Sequence, residues 1–154
     1  QLFSDLHREF SDFTPVEADV DVVVLAGDID LGTRGIAWAI DRFGGKPVVY
    51  VAGNHEFYGQ NFPDLYGKLR DAAAGTSVHV LQNSSVEING WLFLGCTLWT
   101  DFALYGNSPL AMLTASGAMS ANGAASASRA VTTGRIVNPG QGARGLHCMF
   151  QRTV

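Results

Sequence analysis

Three short polar clusters in this chain carry residue types able to bind metal ions or move protons. Ser4-Asp5-Leu6-His7 sets a carboxylate and an imidazole two residues apart, and Gly27-Asp28-Ile29-Asp30 sets two carboxylates at the same spacing. Gly53-Asn54-His55-Glu56 brings an amide, an imidazole and a carboxylate together in sequence. Asp5 and His7 can ligate one ion through an oxygen and a nitrogen. Asp28 has two carboxylate oxygens and can bridge two ions, and Asn54 offers an uncharged carbonyl oxygen to the second. Mixed O/N ligation without thiolate favours Mn, Fe, Zn or Ni over copper(I) or an iron–sulfur cluster. Two such ions ~3.5–4 Å apart share a bridging water and acidify it, which leaves His55 to protonate a leaving group or steady phosphoryl oxygens. Taken singly, each cluster also reads as an ordinary turn, since Gly, Asn and Asp favour turns. Their recurrence in order is what points to a site.

The elements that must position these residues are legible as well. Asp21 to Ala26 (DVVVLA) is a β-branched run of the kind buried on both faces of a parallel sheet. Gly35 to Phe43 has apolar residues at 36, 37, 39, 40 and 43, which predicts a helix with one apolar face. Val48 to Ala52 is a second buried strand. Asn61 to Ala74 predicts a helix with Asn61 as N-cap and Pro63 in its first turn. Ser77 to Leu81 is a short strand, and Ser85 to Trp99 reads as a hairpin around Asn89-Gly90. His79, inside that short strand with apolar neighbours, reads as a sheet histidine and not as a ligand. The apolar run at Gln1 to Ser4 begins without Met, so the natural start is expected to lie further upstream. The clusters lie 23 residues (Asp5 to Asp28) and 26 residues (Asp28 to Asn54) apart, the spacing of successive strand-and-crossover units. In a parallel sheet the carboxyl ends of the strands form one rim where ligands bind, so the clusters are expected to converge. Gly27 and Gly53 precede the polar residues and suit sharp turns with close backbone approach.

Composition bounds the function classes. The chain has 154 residues, 47 % hydrophobic and 16 % charged, enough for one domain with a real core. No apolar run approaches the ~20 residues of a membrane span; the longest, Val22 to Ala26, is a strand's length. No secretion signal opens the chain, and the two cysteines, Cys96 and Cys148, form no CxxC pair, so reduced thiols in a cytoplasmic protein are expected. A net charge of −4 argues against a scaffold that neutralises nucleic-acid phosphates. The oligomeric state is not readable. All fourteen acidic residues lie between Asp5 and Asp101, and the chain beyond Asp101 is rich in Ala, Gly and Arg with no Lys. The region from 106 to 154 shows no helical or strand period, so it is expected to be a low-complexity or disordered tail, or an out-of-frame reading of a GC-rich gene.

The series SDLH, AGDID and GNHE resembles the calcineurin-like metallophosphoesterase superfamily, and TLWTDF (Thr97 to Phe102) resembles its small bacterial members. The resemblance covers about residues 1 to 105. It implies the N-terminal part of a four-layer α/β/β/α sandwich with a mixed, largely parallel first sheet. It also implies a two-metal site that hydrolyses phosphate mono- or diesters. By position, Asp5 and His7 would hold the first metal, Asp28 would bridge, Asn54 would hold the second, and His55 would be the catalytic acid. The implied substrate is a small phosphate ester.

The chain departs from the family pattern in three places. Leu31 stands where the usual GDxxD has its second Asp, and only His79 and His147 follow His55, neither in the family's Gly-His-x-His setting. The second metal therefore loses its imidazoles and the first loses one ligand. The C-terminal half-sandwich is expected to be absent, which would leave one face of the first sheet unprotected. A weakly active, truncated phosphoesterase is the leading reading. Its alternative is a non-catalytic remnant or binding module that holds at most one weak ion. A haloacid-dehalogenase-type phosphatase with its nucleophile in Asp28-Ile29-Asp30 is a third reading, disfavoured because that DxD follows the second strand and not the first.

Overall fold

A computed structural model describes residues 1–61, 64–99, 106–107, 109–110, 130–137 and 146–149. Its first sheet is parallel throughout, in the order β1 (Leu2–Phe3), β2 (Val23–Ala26), β3 (Val48–Val51), β4 (Val78–Val80). Leu2 pairs with Val24, Val23 with Val48, and Val48 with Val78. The antiparallel strands form a sheet of their own, in the order β5 (Ser84–Ile88), β6 (Trp91–Trp99), β7 (Ala130–Val137), β8 (Leu146–Met149). Asn89 and Gly90 both have positive φ, +53° and +78°. That is the mirror-image turn whose twist matches a tight hairpin between β5 and β6.

Two helices supply the outer layer. Helix α1 (Arg34–Phe43) lies within a residue of its expected bounds, whereas α2 (Asp64–Ala73) begins later than Asn61. Asn61 still caps it through the backbone: its carbonyl accepts from the Leu65 N–H at 3.2 Å. Pro63 lies outside the described residues.

The two-residue period of β3 sorts its side chains between two cores. Val48, Tyr50 and Ala52 pack under the helices with Ile36, Leu65 and Leu69. Val49 and Val51 face the other way, against Leu81, Ile88 and Phe93. Every residue of β3 is therefore buried, which accounts for its lack of polar alternation. The layers run helices, parallel sheet, antiparallel sheet, a mixed α/β fold.

The expectation of an unprotected sheet face is corrected here, because the β5–β6 hairpin covers that face. The approach is close. A Cβ on Gly95 of β6 would lie 2.7 Å from Leu81 Cβ and 2.8 Å from Val51 Cγ2, so only glycine admits this spacing of the two sheets. Thr97 adds a polar tie, its hydroxyl donating to the Ala52 carbonyl at 2.6 Å. Within the segment expected to lack regular structure, 130–137 and 146–149 are paired strands. The β-branched residues of AVTTGRIV favour extended backbone. The intervening stretch, and residues 100–102 of TLWTDF, lie outside the described residues. Among the described residues no helix is long and apolar enough to cross a membrane.

Candidate functional site

The loops that leave β1 and β2 stay zipped together past the ends of the strands. Asp5 N–H donates to the Gly27 carbonyl at 3.0 Å, His7 N–H to Asp28 at 2.9 Å, and Arg8 N–H to Ile29 at 3.0 Å. This ladder holds Asp5, His7 and Asp28 in left-handed conformations, with φ of +54°, +45° and +52°. Among the described residues only two other non-glycine positions have positive φ, Asn83 and Asn89, and asparagine tolerates that region. Aspartate tolerates it as asparagine does, so the cost falls mainly on His7, and such strain collects where side chains must be aimed. One ligand atom each from Asp5, His7 and Asp28 lies within 4.8 Å of the others.

Asp28 is fully buried, and Glu56 holds the backbone around it. The Glu56 carboxylate accepts from the N–H groups of Asp28 (3.1 Å), Ile29 (2.9 Å) and Gly53 (2.8 Å), and from the Tyr50 hydroxyl (2.8 Å). Glu56 thus joins the turn after β2 to the turn after β3. Burial first, and then the nearby Asp28 charge, push its carboxyl up to about 7. Burial, with Glu56 next to it, likewise raises the Tyr50 hydroxyl. The glycine before Asn54 is required here: a Cβ on Gly53 would sit 2.2 Å from Asp28 Oδ1 and 2.6 Å from Asp28 N.

The third strand end approaches Asp28 from the other side. His55 N–H donates to Asp28 Oδ1 at 2.9 Å, so Asn54 stands between two residues that touch Asp28. Its amide nitrogen donates to the Tyr58 hydroxyl at 3.0 Å, while its Oδ1 is buried without a partner. A buried carbonyl oxygen left unpaired is costly, and a cation would satisfy it. Together with the Asp5–His7–Asp28 group, it makes the oxygen-and-imidazole donor set suited to hard or borderline divalent ions.

Asp30 turns elsewhere. It takes hydrogen bonds from Arg8 (3.2 Å) and Arg34 (2.7 Å), and Arg8 also lies 4.8 Å over the Trp38 ring. The two acids of the Asp28-x-Asp30 pair therefore do not serve one centre. His79 sits mid-strand on β4, paired with Val49, outside the clusters above. His147 is on β8.

Glu9 was missed in the sequence. Its side chain is 7 % exposed and meets both imidazoles: Oε1 contacts His55 Nδ1 and lies 3.5 Å from His7 Nδ1. The two Nδ1 atoms are 3.2 Å apart. Burial pushes the Glu9 carboxyl up, but a backbone hydrogen bond and the two histidines outweigh it and hold the carboxyl below its usual range. The signal was present in the sequence as the alternation Asp5-x-His7-x-Glu9.

The family model described as calcineurin-like phosphoesterase matches residues 2–118. Among solved structures, a phosphopantetheinyl hydrolase from Mycobacterium tuberculosis matches with 23% identity and a TM-score of 0.41, over 58% of this chain and 38% of that one. No curated protein matches significantly. With a family model covering about three-quarters of its length, the chain belongs to the calcineurin-like phosphoesterases.

Proposed function

We propose that this scaffold hydrolyses small phosphate mono- or diesters at a two-metal site on the rim of the parallel sheet. Asp5 and His7 would hold one ion, Asp28 would bridge, and Asn54 would hold the second. Bound divalent ions, Mn²⁺ among the candidates, supply Lewis acidity and a water acidified towards neutrality. The chain's own residues do the rest. Glu56 and the left-handed loops orient Asp28, and His55 gives its proton to the leaving-group oxygen.

The observation that carries this reading is the pairing of the Asp5–His7–Asp28 group with the unpartnered, buried Oδ1 of Asn54. The test is a Mn²⁺ titration of the 154-residue chain followed by electron paramagnetic resonance. Binding should be lost in Asp28→Asn and weakened in Asn54→Leu. Binding that survives Asp28→Asn undiminished would overturn the assignment.

A non-catalytic module with one weak ion is the second reading, favoured by the shortage of imidazoles. After His55 the chain offers only His79 and His147. The two readings separate on stoichiometry, at most one weakly held ion against two.

A further inference from the structure

The ligand assignments leave Glu9 without a task, yet its largely buried carboxylate faces both site imidazoles. Its Oε1 is 2.5 Å from His55 Nδ1 and 3.5 Å from His7 Nδ1. Two atoms sharing a tetrahedral ion at ~2.0–2.1 Å are held about 3.3 Å apart. Glu9 and His55 stand in hydrogen-bond contact, although His7, Glu9 and His55 also place one ligand atom each within 4.8 Å of one another, so shared ligation is the competing role. An ionised carboxylate accepts only, so His55 Nδ1, the nitrogen bonded to it, carries the proton. That leaves Nε2 as the nitrogen with a free lone pair on His55, while Nε2 of His7 is the nitrogen on the Asp5 side, 3.9 Å from Asp5 Oδ1.

We infer that Glu9 is a positioning residue that acts through His55. By accepting the Nδ1–H of His55 it fixes the ring's orientation and tautomer, so that proton transfer runs through Nε2. Glu9 Oε1, 3.5 Å from His7 Nδ1, also places negative charge behind that metal-binding ring, as carboxylates behind such histidines commonly do. The inference rests on the proposed site but does not need a metal to be tested.

The first measurement is the tautomeric state of His55 in the metal-free chain, by long-range ¹H–¹⁵N NMR at pH 8.5, where an ordinary imidazole (pKa ~6.5) is neutral. The chain has four histidines, so single substitutions assign the signals. His55 should be held in the Nδ1–H form in the wild type. In Glu9→Ala it should move towards the Nε2–H form. In Glu9→Gln, whose amide oxygen accepts the same hydrogen bond, the Nδ1–H form should return.

The second measurement is Mn²⁺ affinity, which should fall roughly 10–100-fold in Glu9→Ala and largely recover in Glu9→Gln. An unchanged His55 tautomer in Glu9→Ala would overturn the proposal, as would Glu9→Gln behaving like Glu9→Ala. So would loss of Mn²⁺ binding in both Glu9 variants as complete as in Asp28→Asn, since Glu9 would then be a ligand. If the chain binds no Mn²⁺ but the tautomer responds as expected, the two-metal reading fails and the role of Glu9 towards His55 stands.

Discussion

Glu56 is the residue on which the site geometry turns, although it faces away from any ligand. Its carboxylate is raised from an ordinary 4.5 to about 7, so the folded, metal-free chain binds that proton more tightly than the unfolded chain does. By linkage, the Glu56 contribution to stability is greatest below about 4.5, declines as pH rises to about 7, and then levels off. The change is on the order of 3 kcal/mol. Thermal melts in EDTA should therefore show a falling Tm between pH 5 and pH 7.5, and Glu56→Gln should flatten that slope whatever its own stability. A slope that persists in the variant would assign it to another group. Gly53 makes a sharper case. Since a methyl there would overlap Asp28 Oδ1 and Asp28 N, Gly53→Ala must shift backbone as well as side chain. It should lower Tm by several degrees and abolish Mn²⁺ binding together.

At the scale of elements, the strands were legible because apolar cover leaves uninterrupted β-branched runs, on both faces fully in VVYV and with one face only partly covered in DVVVLA. The hairpin was legible because Asn89-Gly90 has few other uses between apolar strands. Convergence of the polar clusters could be read from the parallel order alone. Glu9 carried only the weak signal of the Asp5-x-His7-x-Glu9 alternation, because its loop has no period and its hydrogen-bond partner His55 lies 46 residues away. Strand β7 could not be read, because its AVTTGRIV is broken by Gly134 and Arg135 without clean alternation and is paired by its neighbour β6. The packing of the hairpin onto the first sheet gives a test at this scale. Gly95→Val would drive side-chain atoms into Leu81 and Val51. Overpacking of this kind costs ~1–3 kcal/mol, so the variant should melt several degrees lower. A neutral outcome by calorimetry would mean the two sheets separate easily.

For the whole molecule, activity depends on how many ligands this chain supplies. The proposed site gives one ion Asp5, His7 and Asp28 and its neighbour Asp28 and Asn54, with no imidazole for the second. Hydrolysis of p-nitrophenyl phosphate with manganese should therefore run barely above background. Robust turnover abolished by Asp28→Asn would show that His79, His147 or a second subunit completes the coordination.

The zipped loops after β1 and β2 also bear on when the site comes into being. Its hydrogen bonds join residues far apart in the chain: Glu56 reaches Asp28 across 28 positions, and His55 reaches Glu9 across 46. No stretch of local sequence contains even half of the cluster, and long-range contacts of this kind form only after loop closure has been overcome. The site and the alignment of β1, β2 and β3 are therefore one kinetic event. In a stopped-flow refolding experiment, metal capture should lag helix formation and coincide with the last phase that completes the parallel sheet.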